Sequence, residues 1–251
     1  MWETVSAAVI GTSHRDLNGV CQDRCAVLCT QQGNRQWLAM LVADGAGSAP
    51  MAEVGAELAV TAALGFVESL MGRVEFGLSD NLAVELVKNV RSSIYSEASR
   101  NGHSARDYAC TFLGLLSSEL GTLAFQVGDG GIVIDTGDSM FVAIKPMSGI
   151  YANMTHFITE EDAIDHLVCG FFPNIAQRAA VFSDGIQRLA INMDSNTPHT
   201  PFFSSFFDVL ATIKPEKRSQ LQGALESFLD SDQVNERTDD DKALALAVLR
   251  V

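Results

Sequence analysis

Three apolar runs in this chain stop on the same dipeptide. "LVADGAGSAP" (41–50), "FQVGDGG" (125–131) and "VFSDGI" (181–186) end in Asp44-Gly45, Asp129-Gly130 and Asp184-Gly185. Asp-Gly is a strong hairpin signal, but a hairpin needs a second strand after the turn. Asp129-Gly130 has one in "GIVID" (131–135), so a turn accounts for that pair. Asp44-Gly45 leads instead into "AGSAPMAEVGAELAV", and Asp184-Gly185 into "IQRLAINM", neither of which continues as an obvious strand. Two aspartates therefore stand at the ends of buried-looking strands with no turn to justify them. A carboxylate there is costly unless it is paired or metal-bound. The glycine beside each permits close backbone approach, and its carbonyl is a further ligand candidate.

The rest of the chain supplies the frame for those strands. Extended candidates are 5–10, 25–30, 36–43, 110–117, 122–127, 131–135, 140–144, 179–183 and 243–250, all short and bounded by Gly, Asp or Ser. Helical patterns run from about Met51 to Leu70 and from Ser79 or Asp80. The second places Leu82, Leu86, Val90, Ile94 and Ala98 on one stripe. Thr159 and Asp162 resemble a capping box opening a short helix. A last helical pair covers roughly 202–212 and 215–229. There are no repeats, linkers or low-complexity tracts. Strands, two helices, strands and helices again predict a layered α+β fold, in a single domain over 1–251.

The chemistry of the side chains narrows the function. Thirty-one acids against 17 Lys and Arg leave a net charge of −14, which argues against binding nucleic acid, where basic side chains neutralise phosphates. The same balance argues against anionic membrane surfaces, and no run of 18 apolar residues predicts a membrane span. The opening "MWETVSAAVIGTSHRD" has Glu3 ahead of its apolar stretch and no basic start, which predicts no signal peptide. Five cysteines without framework spacing fit a reducing cytoplasm. Cys21, Cys25 and Cys29 recur every four residues, but "CAVLC" reads as a strand rather than a thiolate site. No GxSxG elbow, P-loop or HExxH is present. The histidines (His14, His103, His156, His166 and His199) make no ligand pair at helical spacing. An aspartate-rich site without thiolates suits Mg²⁺ or Mn²⁺.

In order along the chain, "CQDRC" (21–25), "LVADGAGSA" (41–49), "ACTFLGLL" (109–116), "FQVGDGG" (125–131), "VFSDG" (181–185) and "RTDDDKALALAVL" (237–249) resemble the type 2C protein phosphatases. These are metal-dependent serine/threonine phosphatases, and a small enterobacterial-type subfamily with "CQD" and "DGAGS" is the most similar. The resemblance implies a four-layer α/β/β/α sandwich of two antiparallel sheets flanked by helices. It further implies that Asp44 bridges two Mn²⁺ or Mg²⁺ ions and that the Gly45 carbonyl binds one of them. Asp184 and Asp240 would hold the other, with Asp239 the second choice to Asp240. Asp129 would help Asp184 hold a third, weaker ion. Asp23 and Gln22 lie where the family has acids acting through water. The implied partners are phosphorylated proteins, targets of a serine/threonine kinase.

Departures from the family pattern leave alternatives open. Asn18 stands where relatives carry a phosphate-gripping Arg, Ala46 where many have a proposed general-acid His, and Gln22 where they have an acid. Of the nearby cations His14, Arg15 and Arg24, His14 is the expected replacement grip and catalytic contact. The stretch from about 145 to 178 falls at the family's variable flap, where Asn153, Thr155 and His156 are candidates to face substrate, with packing of the loop the alternative for all three, and Asn153 is the one taken as a substrate contact. A catalytically weak phosphatase-like binding module and a hydrolase of small phosphoesters are the competing readings.

Overall fold

The computed structural model describes residues 1–33, 35–71, 76–145 and 155–250. Its strands are β1 (Trp2–Val9), β2 (Arg24–Gln32), β3 (Arg35–Ala43), β4 (Phe112–Ser118), β5 (Gly121–Val127), β6 (Gly131–Asp135), β7 (Met140–Val142), β8 (Val168–Phe172), β9 (Arg178–Phe182), the short pair β10 (Ile191–Asn192) and β11 (Thr197–Pro198), and β12 (Lys242–Leu249). Helices are α1 (Thr12–Asp16), α2 (Ala52–Met71), α3 (Asp80–Asn101), α4 (Asp184–Ala190), α5 (Thr200–Thr212), α6 (Arg218–Leu229) and α7 (Asp232–Asn235). Two antiparallel five-stranded sheets result, in the orders β1-β12-β9-β6-β7 and β2-β3-β4-β5-β8.

Alternation along the strands explains the layering. In β3, Trp37, Ala39, Leu41 and Ala43 face a core shared with α2 and α3, while Leu38, Met40 and Val42 face the other sheet. In β12, Leu244, Leu246 and Val248 point to the helices α4, α5 and α6, and Ala243, Ala245 and Ala247 to the space between the sheets. Because successive side chains alternate faces, a sheet covered on both sides reads as a continuous apolar run rather than an alternating one. The alanines on the inner face of β12 let its sheet approach the other closely. Helices therefore lie outside both sheets, as expected.

Local signals set the helix boundaries. α3 starts after Ser79, which is extended, and ends at Gly102 in the left-handed conformation (φ +69°), the usual glycine stop. The capping-box reading at Thr159 fails: 158–166 forms successive turns and no helix. The backbone bonds there span three residues (Glu160 to Phe157, Ala163 to Glu160, Asp165 to Asp162), and Arg91 and Tyr95 of α3 bind the carbonyls of Ile158, Thr159 and Glu160. Strand β8, which pairs with β5, lies inside the stretch expected as a flap.

One consequence of the topology matters most for function. β3 ends at Ala43, opposite the start of β2 at Arg24. β9 ends at Phe182, opposite Gly131 at the start of β6 and Leu244 near the start of β12. These strand ends, with the β5–β6 turn, lie at one end of the sandwich, and each carries an acid just beyond it.

Candidate metal centre

The converging strand ends enclose a cavity of about 200 Å³ lined by His14, Asp44, Gly45, Asp129, Asp184 and Asp240, with Thr111, Thr155 and Asp241 among its other walls. Each acid is held by its backbone. The Asp44 N–H donates to Thr111 Oγ1 at 3.1 Å, and its carbonyl accepts the Thr111 N–H at 2.8 Å. Gly45 bridges to Cys110, and a Cβ there would lie 2.8 Å from the Ala52 carbonyl oxygen, so only glycine lets α2 start so close. Asp129 sits in the β5–β6 turn between Gly128 (φ +96°) and Gly130 (φ +108°). Its Oδ2 accepts a 2.8 Å hydrogen bond from Thr155. Asp184 is the first residue of α4, directly after β9.

Asp23 lies buried behind the cavity wall, accepting a 2.5 Å bond from Ser183 Oγ on Oδ2. Among the described residues its other oxygen, Oδ1, has no hydrogen-bond partner, and neither has Oδ1 of Asp184. Burial lifts Asp23 to about 8, helped by the Asp241 charge and opposed by the Ser183 bond. Asp44 is pushed well above the usual carboxylate range, first by burial and then by the charges of Asp23 and Asp184. Asp184 rises to about 6 through burial and the charges of Asp129 and Asp240. Asp240 also rises, again chiefly through burial. Carboxylates arranged to raise one another's pKa, with buried oxygens left unpaired, form a site that lacks positive charge. The donor set, all oxygen, fits divalent metal ions.

The acidic "TDDDK" run divides its labour. Asp240 lines the cavity, open to solvent on one side while its carboxyl is partly desolvated among the other acids. Asp241 is buried and accepts the Gly11 N–H at 2.6 Å and the Gln22 N–H at 2.5 Å. Its Oδ2 also lies 2.9 Å from His14 Nδ1. Ser13 binds the Asp239 carbonyl through both its N–H (2.9 Å) and its hydroxyl (2.7 Å). Asp241 thus ties the Gly11 and Gln22 segments to the start of β12 and lies against the His14 ring at the cavity. Sequence reasoning weighed Asp240 and then Asp239 as the ligand and missed this anchoring role of Asp241; three adjacent acids gave no sign of which one was buried.

Of the other cations, Arg15 turns away to Asp230 at 2.6 Å, and Arg24 binds Glu57 at 2.9 Å and the carbonyls of Cys21 and Asp23. Asn18 is exposed at φ +55°, a conformation that asparagine tolerates better than arginine does. Ala46 packs among Ala49, Ala52 and Ala109. Asn153 lies outside the described residues.

The sequence profile described as Protein phosphatase 2C matches residues 10–230. The chain belongs to the protein phosphatase 2C family. It is 46% identical over 248 residues to serine/threonine-protein phosphatase 3 of Escherichia coli (strain K12), covering 98% of each chain. Among solved structures, a bacterial serine phosphatase superposes with a TM-score of 0.64 at 15% identity, over 100% of this chain and 98% of the other. An S. agalactiae serine/threonine phosphatase gives 0.60 at 17%, over 100% of both. At these identities the structural matches speak for the fold, whose four layers are those described above.

Proposed function

We propose that this protein phosphatase 2C member is a cytoplasmic, single-domain, metal-dependent phosphoprotein phosphatase that hydrolyses phosphoserine and phosphothreonine set by a partner kinase. The observation that carries the reading is the convergence of Asp44, Asp129, Asp184 and Asp240 on one small cavity backed by Asp23. Asp44, the Gly45 carbonyl, Asp184 and Asp240 would hold two Mn²⁺ or Mg²⁺ ions, and Asp129 with Asp184 would hold a third. When bound, such ions supply a water nucleophile at neutral pH and neutralise charge on the phosphoryl oxygens. Asp23 sets the charge behind the site and, through Ser183, fixes the start of α4 beside Asp184. Thr155 holds Asp129 in place. His14, lying against Asp241, presents its ring to the substrate phosphate where relatives use an arginine. Ala46 has no proton to give, so the leaving alkoxide takes its proton from solvent.

Two expected results test this reading. Turnover of p-nitrophenyl phosphate and of a phosphothreonine peptide requires added divalent cation and is lost in EDTA, with Mn²⁺ more effective than Mg²⁺ because Gln22 has replaced one acid. Full turnover in EDTA sinks the proposal. His14→Ala lowers kcat/KM by about tenfold to a thousandfold, the range for losing one charged or hydrogen-bonding contact to the transition state. Arg15→Ala, already committed to Asp230, stays within about twofold of the parent. The reverse ranking of these two variants would assign the grip to Arg15.

A further inference from the structure

A second group of ligands stands beside this centre, outside the aspartate cavity. His156, Glu160 and His166 each offer one ligand atom, all within 4.8 Å of one another and each half-buried. His156 Nδ1 is 3.0 Å from Glu160 Oε2, and the two imidazole rings stack with centroids 3.5 Å apart. Sequence reading found no histidine pair here because the two are ten residues apart. The turns of 158–166, which replaced the expected helix, fold them onto each other.

The backbone that carries the group is fixed. The Ile158 N–H donates to the Cys110 carbonyl at 2.9 Å, Tyr95 binds the Thr159 carbonyl at 2.9 Å, and Arg91 binds the carbonyls of Ile158 and Glu160. His156 and Glu160 also line a separate cavity of about 980 Å³ with Tyr95, His103 and Arg106, which gives an ion a route from solvent.

We propose that His156, Glu160 and His166 bind a divalent transition-metal ion of the zinc class at a site separate from the aspartate centre. Tetrahedral Zn²⁺ with bonds of about 2.1 Å places neighbouring ligand atoms roughly 3.4 Å apart, and the His156–Glu160 pair stands near that spacing. His166 Nε2 is 3.1 Å from Asp162 Oδ2. That carboxylate fixes the ring's tautomer and leaves Nδ1 as the ligand atom, the arrangement usual behind a metal-bound histidine. The stacked rings lie nearly parallel, so binding requires the His166 ring to turn out of the stack until one nitrogen of each ring points at the ion, with water in the fourth position. The two sites differ in preference: two imidazoles and one carboxylate select zinc, while an oxygen-only set suits Mg²⁺ or Mn²⁺. The ion would clamp the segment whose first described residue, Thr155, hydrogen-bonds to Asp129.

The test is calorimetric titration of Zn²⁺ into the full chain held in saturating Mg²⁺, so that the aspartate centre is already filled. The parent protein should bind Zn²⁺, and His166→Ala and Glu160→Gln should each weaken that binding by about tenfold or more. Circular dichroism confirms that both variants fold, and Mg²⁺-supported turnover of His166→Ala should match the parent. Absence of Zn²⁺ binding by the parent overturns the proposal, as does equal binding by the parent and both folded variants.

Discussion

Replacing Asp44 or Asp184 with asparagine should reduce phosphatase turnover by about a thousandfold or more, because each change removes a charge that holds the catalytic cations. The fold should survive. Asp44 lies beyond the end of β3 and is held through its backbone by Thr111, and asparagine keeps the shape of the side chain. In the metal-free state each variant should match or exceed the parent in stability, since burial and neighbouring charges already oppose ionisation at both positions. Loss of activity with a gain in metal-free stability separates a functional carboxylate from a structural one. Asp241→Asn should behave in the opposite way. It weakens the anchoring of Gly11 and Gln22, so stability falls along with activity. Steady-state kinetics and urea unfolding in EDTA decide the matter, and an active Asp44→Asn enzyme would contradict the assignment.

How far the site could be read in advance varied from residue to residue. Asp44 and Asp184 were legible because an acid after a buried strand, with no strand following, lacks a local reason to be there. Asp129 was legible only through the family resemblance: its pair of left-handed glycines makes a proper turn, so the local pattern alone gives it no site role. The sheets were legible from short apolar runs, but β8 was missed. "VCGFF" is an edge strand with Val168 and Phe171 exposed, so it lacks the alternation or continuous burial that marks the others. α4 was missed because its seven residues, the Asp-Gly included, are too few to show helical periodicity. His14 was chosen over Arg15 on general grounds, and the decisive facts, Asp241 beneath one and Asp230 beside the other, depend on contacts more than 200 residues apart in sequence. Such contacts leave no local pattern to read.

The second large effect expected is on stability as a function of pH and metal. Asp23 at about 8 and Asp184 at about 6 both lie above the ordinary value of 3.8. An acid whose pKa is raised by folding makes the native state bind more protons than the unfolded chain between those values. Stability then falls as pH rises through the window from about 4 to 8. In EDTA the protein should therefore be less stable at pH 8 than at pH 6, by on the order of 2 kcal/mol. A tenfold change in proton affinity is worth about 1.36 kcal/mol, and solvent relieves part of it. Asp23→Asn should flatten the slope, since the drop between pH 6 and 8 lies below the Asp23 value and largely above that of Asp184. Saturating Mg²⁺ or Mn²⁺ should reverse it, because the ions bind the ionised carboxylates and stabilise the folded chain more as protons leave. Urea midpoints at the two pH values, with EDTA and with metal, provide the measurement. A metal-free stability that rises from pH 6 to 8, or a slope that Asp23→Asn leaves untouched, would show that the acids around the cavity are already compensated without a cation.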